Sequence, residues 1–336
     1  MRRAFSFVFL CFACFSGLAV SYQAYGEDAP DPRRWLTDMN RAFTELSYDG
    51  IFSFYSGSDL ASVRIVHMLV DGEQRERLIH LTGAPREFIR RGEEVDCILM
   101  PGDDLLALES SIPTGPFARA FVRRYDNISE YYGLSFSGED RIAGRLTVRL
   151  AITPLDENRY GYRLWLDKVT RLLLQSELVD HEGTKLEIFQ FSQLKLGSEV
   201  TPAALEPEKL QGSRISHLSL ATTATLPVTK PRVSWELRWL PAGFEMSATE
   251  VRSTPSKLKS VNTMMYTDGL AAFSVFIEDM PPAGAASMVS RNGATVAVTH
   301  LTKGPQANNF LVTLVGELPT PTAQRIAQSI QFITAP

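Results

Sequence analysis

YGYRLWL at residues 160–166 and KLEIFQFSQL at residues 185–194 are the stretches whose reading decides the fold. Read as strands, they place Tyr160, Tyr162, Leu164 and Leu166 on one side and Trp165 on the other, while Leu186 and Ile188 alternate with Phe189 and Phe191. A sheet that is apolar on both faces needs two covers. From Tyr48 to Leu196 short β-rich runs are broken by Asp71-Gly72, Arg91-Gly92, Gly138 and Glu182-Gly183, with no long helix between them. Repeated hairpins of this kind build an antiparallel sheet.

One cover is written just upstream. Asp31 can cap a helix, Pro32 suits its first position, and Trp35, Leu36, Met39, Phe43 and Leu46 recur on one helical face. Burying that stripe contributes on the order of 1.5–3 kcal/mol per large apolar side chain. The second face must meet either more protein or an apolar ligand. Phe52, Phe54, Leu134, Phe136 and Leu164 are the candidate walls of such a lipid-accommodating concavity.

Beyond the strands the composition shifts. Residues 197–232 are rich in Pro, Thr, Ser and Ala and read as a linker that packs partly on the surface through Leu210, Ile215, Leu218 and Leu220. Residues 233–336 form a second, smaller strand-rich unit. Trp235 to Trp239, Leu270 to Glu278, Ala294 to Leu301 and Asn309 to Val315 are its expected strands. A closing helix is capped by Thr320, has Pro321 at its first position and packs through Ala323, Ile326, Ala327 and Ile330. The fold class is therefore α+β and mostly β: a large antiparallel sheet with a helix on it over residues 27–196, and a smaller antiparallel sheet with a helix.

The N-terminus carries an export signal. Arg2 and Arg3 precede an apolar run from Phe5 to Val20, and Ala24-Tyr25-Gly26 offers small residues for cleavage, so residues 1–26 read as a signal peptide. Cys11 and Cys14 leave with it. The mature chain keeps Cys97 alone, which can form no intramolecular disulfide and sits in an apolar run as a small buried hydrophobe. About 310 residues remain, enough for two cores.

Charge and motif content narrow the function. The whole chain has 34 basic and 38 acidic residues, and loss of Arg2 and Arg3 makes the balance more acidic, which argues against nucleic acid. Gly133 to Gly138 has the wrong spacing for a nucleophile elbow, and neither a phosphate-binding loop nor a dinucleotide fingerprint occurs. His67, His80, His181, His217 and His300 are scattered, and Asp103-Asp104 reads as a solvated turn, so no metal or cofactor is expected. Phe117 to Tyr132 interrupts the strands with Arg119, Arg123 and Arg124 beside aromatics, a patch suited to an anionic headgroup or an acidic partner peptide. A binding protein, not an enzyme, is the reading favoured.

Short motifs along the whole mature chain carry a resemblance. They are Arg64-Ile65-Val66-His67, Glu76 to Leu81, Pro85-Arg86-Glu87, Arg90-Arg91-Gly92 and Val95-x-Cys97, then Asp140 to Arg145 and Leu164 to Asp167. In the last unit they continue as Trp239-Leu240-Pro241-Ala242-Gly243-Phe244, Asp268-Gly269-Leu270, Ser274 to Glu278 and Val315 to Pro319. Together they resemble the RseB/MucB family of sigma-E regulatory proteins. The resemblance implies a periplasmic negative regulator that binds the periplasmic segment of a membrane anti-sigma factor of the RseA/MucA type and protects it from regulated proteolysis. It also implies a larger domain like the open, helix-covered barrel of LolA, release triggered by lipopolysaccharide or acyl lipid, and a C-terminal partner-binding domain. A homo-oligomer is compatible with it. The alternative function is a LolA-like carrier of lipid or lipoprotein with no regulatory partner.

Overall fold

The computed structural model describes residues 31–92, 94–99, 128–207, 214–219, 234–253, 260–279, 286–304 and 309–333. The expected signal peptide at residues 1–26, Asp103-Asp104, Arg119, Arg123 and Arg124 lie outside these residues, as do Leu210 and Leu220.

Helix α1 (Pro32–Glu45) begins at the proline the sequence nominates and buries Leu36, Met39, Ala42 and Phe43. Five strands follow: β1 (Tyr48–Ser56), β2 (Asp59–Val70), β3 (Glu73–His80), β4 (Glu87–Arg91) and β5 (Glu94–Leu99). After a short 3-10 turn at Ile128–Glu130 come β6 (Tyr132–Ile142), β7 (Arg145–Pro154), β8 (Gly161–Asp167), β9 (Leu173–Val179) and β10 (Lys185–Leu196). With β11 (Arg214–Ser219) they form one open antiparallel sheet in the order β11-β5-β4-β3-β2-β1-β10-β9-β8-β7-β6.

Strand β11 is the feature the composition concealed. It lies inside the Pro- and Thr-rich stretch read as a linker, yet pairs in register with β5 from Arg214↔Leu99 to Ser219↔Glu94. Backbone hydrogen bonding to an otherwise open edge sets this strand, and Ile215 on it remains 56% exposed.

The second sheet holds β13 (Glu245–Ser253), β14 (Ser260–Thr267), β15 (Ala272–Asp279), β16 (Met288–Asn292), β17 (Thr295–Lys303) and β18 (Asn309–Glu317), ordered β13-β14-β15-β18-β17-β16. Helix α2 (Thr320–Gln328) packs Ala323, Ile326 and Ala327 into its core. Thr320 is the first residue of that helix and not its cap: Pro319 precedes it with extended backbone, and no side chain caps the end. A two-stranded ribbon of β12 (Ser234–Leu237) and β19 (Ile330–Ile333) closes the unit, with Trp235 edge-on to Phe310 and Phe332.

The two faces of the large sheet are covered differently. On the inner face α1 meets Tyr48, Phe52, Ile65, Leu150, Leu164, Leu166 and Phe191 in one core. Gly50 has no Cβ because one would sit 2.6 Å from the Phe191 ring. On the outer face, 3-10 turns at Gly197–Glu199 and Pro202–Leu205 bring Val200 and Leu205 onto Val66. Further along, Trp165 is covered by a long polar side chain: Arg149 lies over its ring at 5.9 Å, and its Nε1 donates to Asp140 at 3.3 Å. Arg and Lys stems supply apolar cover while their heads stay hydrated, so a second protein layer is needed over only part of this face.

Candidate functional site: the inner face and the joint between sheets

The five proposed wall residues do not share one environment. Phe52 and Leu164 are buried in the core beneath α1, at 4% and 5% exposure. Leu134 and Phe136 are half-buried at its margin on β6, where Phe136 meets Trp35 of α1 edge-on at 5.6 Å. Phe54 follows the same side of β1 toward its end and is 38% exposed. Phe52, Phe189 and Phe191 form a triangle of rings with centroids 4.9–5.9 Å apart. The structure thus groups four of the five around α1 and leaves Phe54 at the open end of β1. The arginines of the proposed headgroup patch lie outside the described residues.

Two other constellations emerge that residue types alone did not single out. The first joins the sheets. Arg159, between β7 and β8, is fully buried together with the side chain of Asp268, from the loop between β14 and β15. Arg159 Nη1 donates to Asp268 Oδ2 at 2.8 Å, its Nη2 donates to the Ala242 carbonyl at 2.6 Å, and its Nε and Nη2 fork onto Asp156 at 3.1 and 3.0 Å. Tyr132 Oη donates to the same Oδ2 at 2.9 Å, while the amides of Leu270 and Ala271 donate to Oδ1. Every oxygen of the carboxylate is therefore satisfied, the condition under which a buried ion pair is tolerated. Burial raises the Tyr132 hydroxyl far above its ordinary value, and the Asp268 charge pushes the same way.

Aromatic rings enclose the guanidinium: Tyr131, Tyr132 and Phe244 have centroids 5.1–5.4 Å from Arg159 Cζ. Gly243, at φ +87°, permits this closeness, since a Cβ there would meet the Tyr131 ring at 2.3 Å. Leu270 then inserts into the core of the large sheet. Further contacts extend the joint: Tyr160 Oη donates to the Leu318 carbonyl at 3.0 Å, and Ala294 packs with Tyr160, Leu178 and Leu186. The motifs Trp239 to Phe244 and Asp268 to Leu270 thereby acquire a common physical role. The signal available in sequence was a lone arginine next to an apolar strand; its partner lies 109 positions away.

The second constellation explains the motifs of β2–β5. Tyr48, His67, Glu76, Arg90 and Val95 stand opposite one another in register across β1 to β5. All five are buried on the inner face, and Cys97 beside them is buried as expected. On the outer face Arg77 Nε donates to Glu87 at 2.5 Å and its Nη1 to the Ala204 carbonyl at 3.1 Å. Among the described residues no group of His, Cys, Asp and Glu could hold a metal ion.

This geometry defines a class: a two-module, mostly β protein whose helix-covered open sheet is latched to a smaller sheet by a buried ion pair. Within that class the chain belongs to the MucB/RseB family, residues 31–209 matching the MucB/RseB N-terminal domain and residues 229–331 the MucB/RseB C-terminal domain. It is 36% identical to the sigma factor AlgU regulatory protein MucB of Pseudomonas aeruginosa over 90% of this chain and 92% of that protein. It is 26% identical to the sigma-E factor regulatory protein RseB of Escherichia coli over 93% and 94%. Among solved structures, MucB in complex with periplasmic MucA superposes with a TM-score of 0.73 at 32% identity, over 91% of this chain and all of that one. Another crystal structure of MucB gives 0.61 at 31% identity, over 90% and 98%.

Proposed function

We propose that this chain is a periplasmic negative regulator of an envelope-stress sigma factor. It is exported by a cleaved signal peptide, binds the periplasmic segment of a membrane anti-sigma factor of the MucA/RseA type, and shields that segment from regulated proteolysis. The observation that carries the reading is its likeness, across nine-tenths of the chain, to MucB solved with periplasmic MucA. Release is triggered by lipopolysaccharide or another acyl lipid, with Phe52, Phe54, Leu134, Phe136 and Leu164 receiving acyl chains. Arg119, Arg123 and Arg124 meet the anionic headgroup or an acidic partner segment. Ligand and partner act on one another through differential affinity for two arrangements of the chain.

The test is reconstitution. The mature protein and the periplasmic segment of its cognate anti-sigma factor are mixed, and proteolysis of that segment is followed with and without lipopolysaccharide. Protection that lipid abolishes supports the reading; binding that lipid leaves unchanged removes the lipid trigger, and no binding removes the regulator. Charge reversal of Arg119, Arg123 and Arg124 that alters neither ligand would remove that assignment.

A further inference from the structure

The row of buried side chains beneath the end of α1 is polar and titratable, unlike the apolar core beside it. Tyr48, His67 and Glu76 have no exposed surface, and Arg90 is 5% exposed. A helix leaves its last carbonyls without intrahelical donors, and here side chains of the sheet and its entry supply them. Tyr48 Oη donates to the Phe43 carbonyl at 3.4 Å, Gln74 Nε2 to that of Thr44 at 3.2 Å, and His67 Nδ1 to that of Leu46 at 2.8 Å. A carbonyl only accepts, so neutral His67 carries its proton on Nδ1. Its Nε2 is a buried lone pair with no hydrogen-bond partner.

The groups facing this ring are few among the described residues. From β1 Tyr48 stacks on it, centroids 4.8 Å apart and planes 15° off parallel. From β3 Glu76 stands opposite in register, with Arg90 of β4 behind it at 3.9 Å from the carboxylate. From the turn just past α1 the Leu46 carbonyl accepts its Nδ1–H, while Glu45, the last residue of the helix, is exposed.

We propose that His67 is an acid-sensitive clasp: a proton added at Nε2 loosens the C-terminal end of α1 from the sheet and opens the apolar inner face to an apolar ligand. The second proton creates a buried N–H with no acceptor, a costly arrangement. Among the described residues the carboxylate opposite it in register, that of Glu76, already has Arg90 beside it. Turning toward Glu76 takes Nδ1 away from the Leu46 carbonyl. Burial holds the imidazole below its ordinary value, the Leu46 hydrogen bond pulling the other way. A histidine whose folded value is depressed contributes fully above its unfolded value of about 6.5 and loses that contribution as pH falls from there toward the folded value.

Hydrogen exchange of the segment Phe43 to Tyr48 and fluorescence of anilinonaphthalene sulfonate are measured on the mature chain at pH 7.5 and 5.5. His67→Gln keeps an amide donor for Leu46 and cannot titrate; His181→Gln, exposed on a hairpin, is the control. In the wild type and the control, exchange corrected for intrinsic rate rises by up to about tenfold on acidification, the limit for one proton, and dye fluorescence rises with it. In His67→Gln both stay flat. Equal acid responses in the wild type and His67→Gln, or no response in the wild type, would overturn the proposal. Should His67→Gln fail to fold, an NMR titration of the wild-type imidazole decides: a pKa at or above the unfolded value refutes the clasp.

Discussion

Arg159 shows how much one side chain can hold. It has no exposed surface and donates to a carboxylate and a carbonyl of the second module. Arg159→Met leaves Asp268 and Asp156 without their counter-charge, and breaking one side of a buried pair costs about 3–5 kcal/mol. Denaturant unfolding should show that loss, while Arg159→Lys should recover only part of it, because one ammonium cannot fork onto Asp156 and reach Ala242. Asp167 acts through pH instead. Its carboxylate accepts from Arg145, from the Val169 and Thr170 amides and from the Thr170 hydroxyl, tying the β8–β9 turn. Burial pushes its pKa up, but the Arg145 and Thr170 hydrogen bonds and the Arg145 charge outweigh it and hold the carboxyl below the usual range. A depressed carboxylate stabilises above its unfolded value, about 3.9, and loses that as pH falls through the folded one. Asp167→Asn should therefore lower stability at neutral pH and flatten the acid limb below about pH 4, read by urea unfolding at several pH values.

At the scale of elements, α1 illustrates what pattern alone can reveal. The spacing of Trp35, Leu36, Met39 and Phe43 is visible in the sequence because an amphipathic helix repeats it; the side chains that finish the helix are invisible, since Tyr48, His67 and Gln74 reach it only once the strands have paired. Phe43→Ala should cost about 3–5 kcal/mol, since its ring is fully buried under the sheet. Gln74→Ala should cost about 1 kcal/mol, the usual net value of one hydrogen bond. Strand β11 was hidden for the opposite reason: its order comes from backbone pairing at an edge, which leaves no mark on hydrophobic period. Ser216→Pro should speed hydrogen exchange of the β5 amides that face β11 while changing global stability by less than about 1 kcal/mol, because Ile215 and His217 are exposed and the His217–Asp96 pair is a surface pair.

For the whole molecule, the joint makes the two modules interdependent. A chain ending at Ser219 would lack Leu270 from the first core and would uncover Arg159, Tyr160, Leu178 and Leu186. We expect its melting temperature to fall by about 10 °C, in line with a loss of several kcal/mol in a domain of this size, and its binding of an apolar dye to rise. Scanning calorimetry with dye fluorescence checks both, and an unchanged melting temperature would mean the joint is energetically idle. The dependence also bears on function, since a lipid carrier needs no second module, whereas a regulator that reads ligand and partner together needs a joint that can transmit between them.

The amino-acid sequence by itself determined the hairpin-built β architecture, the helix that opens it and the helix near its end, because alternation, 3.6-residue spacing and turn residues are local properties of the chain. It also determined family membership, through short motifs. Only the tertiary structure decided what those motifs do. Asp268 meets Arg159, and His67 meets Glu76 and the end of α1, because pairing and packing bring together groups far apart in the chain. Buried polar groups survive only where such partners exist, and a partner's position is fixed by strand register and by the meeting of the two sheets, neither of which any local pattern encodes.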